Sequence, residues 1–241
     1  MKIIAFFLLL TSLLQAESTI PIQLINGKDL TGWRIQCLLE DTQKAKTYWT
    51  SDGNTITVDT KGDKNHNYVW LITEKEYNNF DLTLKIRQPR RTTGNSGIQI
   101  RSRYSPHPKG KGMWMHGPQI DIHPPKPFRT GLIYDETFET QHWIHPIKPS
   151  WTIKPGDTNH KVDWKPNEWN TLRIRANGTK IQTWLNGNLI ADYNGEGTLN
   201  DKYHKKHNVG LTGHIALQLH KGHDLSLQFK DILLTPISTK K

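Results

Sequence analysis

From Phe80 to Arg87 the chain reads Phe-Asp-Leu-Thr-Leu-Lys-Ile-Arg, apolar and polar by turns over eight residues. That period of two belongs to a half-buried β-strand, because successive side chains of a strand leave opposite faces. Pro89 ends the run, since its nitrogen cannot donate to a ladder. Residues 180–185 and 188–193 flank Asn186-Gly187, the dipeptide that most favours a two-residue hairpin turn. Residues 169–175 pair just before them across a turn at Asn177-Gly178, and residues 214–219 and 225–234 supply two more strands. No segment sustains helical periodicity over three turns. Short strands broken by turn signals, with no crossover helices, predict an all-β fold of two antiparallel sheets packed as a jelly-roll β-sandwich. Residues 105–150, rich in Pro, His and Trp, interrupt the rhythm and read as an elaborate rim.

The first residues predict export. Lys2 gives a positive start, residues 3–14 are apolar but too few to span a bilayer, and Leu14-Gln15-Ala16 offers a cut before Glu17. Residues 1–16 are therefore expected to be a signal peptide and residues 17–241 one sandwich domain, with no transmembrane segment in the mature chain. The single cysteine, Cys37, cannot form an internal disulfide, so stability must come from an apolar core. The formal charge of +10 is spread along the chain and no nucleic-acid module accompanies it. It is read as solubility and weak attraction to anionic surfaces, not as nucleic-acid binding.

Alternation also sorts side chains by face. In residues 97–103, Ile98 and Ile100 point one way and Gln99, Arg101 and Arg103 the other. In residues 118–123, Ile120 and Ile122 oppose Gln119, Asp121 and His123. Near the C-terminus, Ile215, Leu217 and Leu219 face the core, leaving Gln218 and His220 outside. Arg, Gln, Asp and His on three strands are groups that fix hydroxyls or polarise carbonyls. If the strands are neighbours, these groups share one sugar-sized concave surface. Nine tryptophans divide in the same spirit. Trp33, Trp70, Trp169 and Trp184 sit in strand contexts and are expected in the core. Trp114, Trp143 and Trp151 fall in the loop-rich region, where indoles stack on sugar rings.

Several segments, in order, resemble the 3-keto-disaccharide hydrolase domain family of bacterial secreted proteins. They run from Leu24-Ile25-Asn26-Gly27-Lys28-Asp29-Leu30-Thr31-Gly32-Trp33 through Asn79-Phe80-Asp81-Leu82 and Asn95-Ser96-Gly97-Ile98-Gln99-Ile100-Arg101. Gly117-Pro118-Gln119-Ile120-Asp121, Thr130-Gly131-Leu132-Ile133-Tyr134-Asp135-Glu136 and Glu168-Trp169-Asn170-Thr171 continue the series. Asn186-Gly187, residues 213–220 and Phe229-Lys230-Asp231-Ile232 complete it. Many members carry a carboxylate shortly before the central Gln, where this chain has Gly117-Pro118. The resemblance implies a jelly roll of the concanavalin A-like lectin/glucanase type. It further implies cleavage of glycosides already oxidised to a ketone at C3 of the sugar, by C2 proton abstraction, elimination and hydration. A divalent metal ion is commonly linked to members and would polarise the ketone.

Such chemistry needs a base near C2, an electrophile on the ketone oxygen and a proton for the leaving oxygen. His220 or Asp121 is the expected base. Arg101, or a metal held by Asp121 and His123, is the expected electrophile, and Tyr134, Asp135 or Glu136 the proton source, with Glu136 favoured. Asn95, Arg101, Arg103, Gln119, Tyr134 and Gln218 are expected to bind the sugar. The principal alternative is a non-catalytic carbohydrate-binding module, since the fold serves lectins as readily as enzymes. A conventional glycosidase needs two carboxylates flanking the bond. The chain's Asp135, Glu136 and Glu139 cluster lacks the one-strand spacing usual in such enzymes of this fold.

Overall fold

The computed structural model describes residues 20–107, 109 and 112–238. The expected signal peptide lies outside them. Among the described residues seventeen strands follow one another. The first eight are β1 (Ile22–Gln23), β2 (Trp33–Cys37), β3 (Trp49–Ser51), β4 (Thr55–Asp59), β5 (Val69–Thr73), β6 (Phe80–Arg87), β7 (Ser96–Pro106) and β8 (Met113–His116). Then come β9 (Pro118–Ile122), β10 (Ile133–Asp135), β11 (His142–His145), β12 (Ile147–Lys148), β13 (Asn170–Asn177), β14 (Lys180–Leu185), β15 (Asn188–Asn194), β16 (His214–Leu219) and β17 (Ser226–Pro236). Two short helices, α1 (Thr42–Tyr48) and α2 (Lys202–His207), sit at the edges. None of the described helices is long and apolar enough to cross a membrane.

The strands form two antiparallel sheets. One runs β15-β14-β13-β6-β17-β4-β3 with β1 beside β17, the other β12-β11-β10-β9-β7-β16-β5-β2 with β8 beside β7. Between them lies the core predicted from alternation. Phe80, Leu82, Leu84 and Ile86 of β6 meet Ile98, Ile100, Ile120, Ile122, Ile215, Leu217 and Leu219 of the facing sheet, all buried. Water exclusion over this interface is the main stabilising term, at roughly 25 cal/mol per Å² of apolar surface.

Hairpin chemistry fixes the register. Asn186 and Gly187 both take positive φ, 48° and 84°, which is what the two-residue turn between β14 and β15 requires. The β13–β14 hairpin closes one residue later than expected: Asn177 pairs with Lys180, so the turn is Gly178-Thr179. Residues 105–150 are more than rim, because they carry β8 to β12 and so build one flank of the second sheet.

The tryptophans depart further from expectation. Trp33 joins the main core. Trp70 is buried on the opposite side of its sheet, with Ile72, Met115 and Ala216, where the β7–β8 arm folds over the concave face. Trp169 and Trp184 lie partly exposed on the outer sheet, covered by the Arg87 and Lys230 side chains and by Arg173 respectively. Long cationic stems shield such rings as well as core packing does.

Candidate active site

The polar faces of β7 and β9 meet as alternation demands. Gly97 stands opposite Asp121, Gln99 opposite Gln119, and Tyr134 of β10 opposite Gln119 in turn. A Cβ at position 97 would lie 2.3 Å from Cδ of Gln119, so only glycine leaves that amide room on the floor. The result is a cavity of about 510 Å³, the size of a small-ligand site. Asn95, Gln119, Asp121 and Tyr134 line it, with His123, His220 and His223 on one side. Tyr68, Trp114, Glu136, Gln141, Trp143 and Trp151 enclose the remainder, and Arg129 reaches in between β9 and β10.

His220 has one defined tautomer. Its Nδ1 lies 3.0 Å from the Lys221 carbonyl, which can only accept, so Nδ1 carries the proton. Nε2 then presents its lone pair, 3.2 Å from the Tyr68 hydroxyl. Burial, reinforced by His223, pushes the His220 pKa down to about 4, so the ring is neutral at neutral pH. His223 stacks on it at 4.1 Å and accepts the Asn95 backbone N–H at Nδ1.

Asp121 is 1% exposed, and both its oxygens accept from Arg129, Nε at 3.0 Å and Nη2 at 3.1 Å. Burial lifts the Asp121 pKa to about 6 despite that partner. The guanidinium lies over Trp143, 5.0 Å from the ring centroid, and its Nη1 has no hydrogen-bond partner among the described residues. Glu136 differs. Its carboxyl makes no side-chain hydrogen bond among the described residues, while its carbonyl accepts from Trp114 Nε1 at 2.8 Å. Burial, then the negative charges of Asp135 and Asp121, push it up to about 8, so it holds a proton at neutral pH.

Asn95 Oδ1, Gln119 Oε1 and His123 Nδ1 are buried with no partner among the described residues, yet all three residues line the cavity. Bare buried polar atoms are costly, and a ligand rich in hydroxyls would satisfy them.

The structure thus brings together Asn95, Gln119, Asp121, His123, Tyr134, Glu136 and His220. It excludes three residues expected beside them. Arg101 is fully buried at the end of the sandwich. There Asn78 O, Gly178 O, Gly210 O and Asn79 Oδ1 accept from it, and Phe80 packs against it. The cause is a bulge. His214 pairs with Ser102 but Ala216 with Gln99, so β7 carries one extra residue, and Arg101 takes φ 51°. Gly213 admits the bulge, since a Cβ there would lie 2.6 Å from the Arg101 carbonyl carbon. Arg103, beyond it, pairs with Glu76 and donates to Asn208 O at 2.6 Å, away from the cavity. Gln218 is fully buried beside Trp70 and does not line the cavity. Asp135, the other acid considered, is buried on the far face, 2.8 Å from His204 Nε2.

Alternation gave no hint of Arg129, in the short turn Pro127–Arg129, nor of Tyr68, just ahead of β5. The residues do not fit a divalent metal at Asp121 and His123. Arg129 occupies both carboxylate oxygens and places a positive charge where the metal would sit. No group of three His, Cys, Asp or Glu among the described residues is arranged to hold one.

Two antiparallel sheets with a polar cleft walled by tryptophan define a jelly-roll sandwich of the galectin and lectin type. A protein of unknown function with a galectin-like fold from Bacillus subtilis superposes with TM-score 0.54 at 11% identity, covering 92% of this chain and 96% of that one. The exoplasmic/lumenal domain of VIP36, bound to Ca²⁺ and Man3GlcNAc, superposes with TM-score 0.54 at 11% identity over 94% and 92%. A predicted glycosyl hydrolase of Parabacteroides distasonis ATCC 8503 reaches TM-score 0.58 at 17% identity, over 91% and 95%. No curated protein sequence matches. The chain belongs to the 3-keto-alpha-glucoside-1,2-lyase-like domain family, whose model matches residues 21–235. It is accordingly a 3-keto-disaccharide hydrolase-like domain.

Proposed function

We propose that the cavity cleaves glycosides bearing a ketone at C3 of the glycone, by elimination followed by hydration. The observation that carries this reading is the meeting, in one cleft, of the His220 imidazole, whose Nε2 lone pair faces the Tyr68 hydroxyl, the Arg129 guanidinium and the Glu136 carboxyl, whose pKa burial raises. Those are the base, electrophile and acid that the chemistry needs.

His220 Nε2 takes the C2 proton, which the neighbouring ketone makes acidic. Arg129, held in place by Asp121, offers its Nη1 hydrogens to the oxygen as it becomes an enolate. The C1–O bond breaks, and Glu136 gives its proton to the departing oxygen. Water then adds across the C1–C2 double bond. Its hydroxyl goes to C1 and its proton to Glu136, while His220 returns a proton to C2, so both groups finish as they began. Asn95, Gln119 and Tyr134 hold the glycone hydroxyls. In the same reading the protein is exported, its signal peptide cut before Glu17.

The test is incubation with a 3-keto-glucoside, following loss of its alkali-labile absorbance. Turnover that fails in His220→Ala supports the scheme. Full turnover in both His220→Ala and Asp121→Ala rejects it, and saturable binding with no turnover under any metal supply makes the domain a carbohydrate-binding module.

A further inference from the structure

His220-Lys221-Gly222-His223 folds back on itself just beyond β16. The His223 N–H donates to the His220 carbonyl at 3.3 Å, the closing bond of a β-turn. Gly222, third in that turn, takes φ 70°, which suits glycine and strains any residue with a Cβ. A second tie holds the main chain, since the Gly222 N–H donates to the His66 carbonyl at 3.1 Å. The turn brings its first and last side chains together, and the two imidazoles stack 4.1 Å apart and 13° from parallel.

The stacked rings carry their hydrogens on opposite nitrogens. The Asn95 backbone N–H can only donate, so the His223 Nδ1 that it meets at 3.0 Å is unprotonated and the ring's hydrogen sits on Nε2. In His220 the hydrogen sits on Nδ1. Asn95 leads onward as well. Its side chain hydrogen-bonds the Asp121 carboxyl, which Arg129 grips in turn. An unbroken series of contacts thus runs from His220 through His223, Asn95 and Asp121 to Arg129. The elimination scheme uses every member of that series except His223, although its ring lines the cavity.

We propose that His223 is a positioning residue that locks the base His220 to the sugar-holding Asn95. The face of its ring sets the orientation of His220, and its Nδ1 sets the Asn95 main chain. Protonating Nδ1 would break the bond from Asn95, so the proton drawn from C2 stays on His220. This rests on the elimination reading, in which His220 is the base and Asn95 holds the glycone.

Two variants separate the two duties. His223→Phe keeps a flat ring for the stack and removes the acceptor, whereas His223→Asn keeps an acceptor near the Nδ1 position and removes the ring. On a methyl 3-keto-glucoside, His223→Phe should raise KM roughly fivefold with little change in kcat. His223→Asn should lower kcat about 10²-fold with little change in KM, because the base loses its alignment. Parallel changes of kcat and KM in both variants, or no change in either, would overturn the assignment.

Two NMR readouts need no turnover. Amide hydrogen exchange at Asn95 should stay slow in His223→Asn and become about tenfold faster in His223→Phe. The Nδ1–H tautomer of His220, read from its ring nitrogen shifts, should persist in His223→Phe and give way to a mixture in His223→Asn. That pattern upholds the positioning role even if no 3-keto-glucoside is cleaved. An Asn95 amide and a His220 tautomer indifferent to both variants reject it.

Discussion

Arg129 grips both oxygens of Asp121 from a turn that no periodic pattern marks, and it is the only guanidinium that reaches the cavity among the described residues. Breaking a buried pair strands the remaining charge, which costs about 3–5 kcal/mol. Arg129→Met should therefore lower stability by that amount and leave Asp121 protonated. Asp121→Asn in the same background should restore part of the loss. Chemical denaturation of the two variants checks this, and equal stabilities would mean that the pair is not coupled.

Removing the base should be more damaging to turnover than to folding. His220→Gln keeps a side chain of similar length but no basic nitrogen, and is expected to lose roughly 10²–10⁴ in kcat. Tyr68→Phe removes the hydroxyl facing Nε2, 3.2 Å away, and should cost far less. Steady-state kinetics on a 3-keto-glucoside measures both.

The pH profile of kcat/KM follows from the two groups. His220 must be neutral, so activity rises as pH passes about 4. Glu136 must hold its proton, so activity falls above about 8. With a nitrophenol leaving group, which departs without a proton, Glu136→Gln should lose the alkaline limb and keep much of its rate.

Stability carries its own signature of Glu136. Its pKa is about 8 in the fold against an ordinary 4.5, so the folded chain holds this proton more tightly than the unfolded chain. That contribution is complete below 4.5 and drains away as pH climbs through 8. Glu136→Gln should match wild type in Tm near pH 4 only after subtraction of a constant offset, and gain on it steadily up to pH 9. A pH-independent difference in Tm would contradict the assignment.

Arg101→Ala should leave kcat untouched while lowering stability by about 3 kcal/mol, because its three carbonyl acceptors lose their donor in a buried place. A drop in kcat without a drop in stability would return Arg101 to the cavity. Export has a simple readout as well: N-terminal sequencing of the secreted chain should begin at Glu17.

Much of this molecule can be read from period and turn chemistry. The strand Phe80–Arg87, the hairpin at Asn186-Gly187 and the facing of Gln119, Asp121 and His220 all follow from local rules that neighbours do not override. Arg101 defeats those rules because a bulge adds one residue, and every later position then changes sides. Trp169 and Trp184 mislead because an indole can be covered by an arginine or lysine stem on the outer face. Arg129 and Gln141 are invisible because turns carry no period, so their aim is set by the strands that bracket them.

The face-to-face imidazoles of His220 and His223 impose a last constraint on any reaction here. Rings 4.1 Å apart resist both becoming cations, since like charges at that spacing repel. The pair stores one proton more readily than two. In the proposed reaction His220 would empty that store when it returns its proton to C2, so the pace of resetting, and not only of bond cleavage, would be written into the stack.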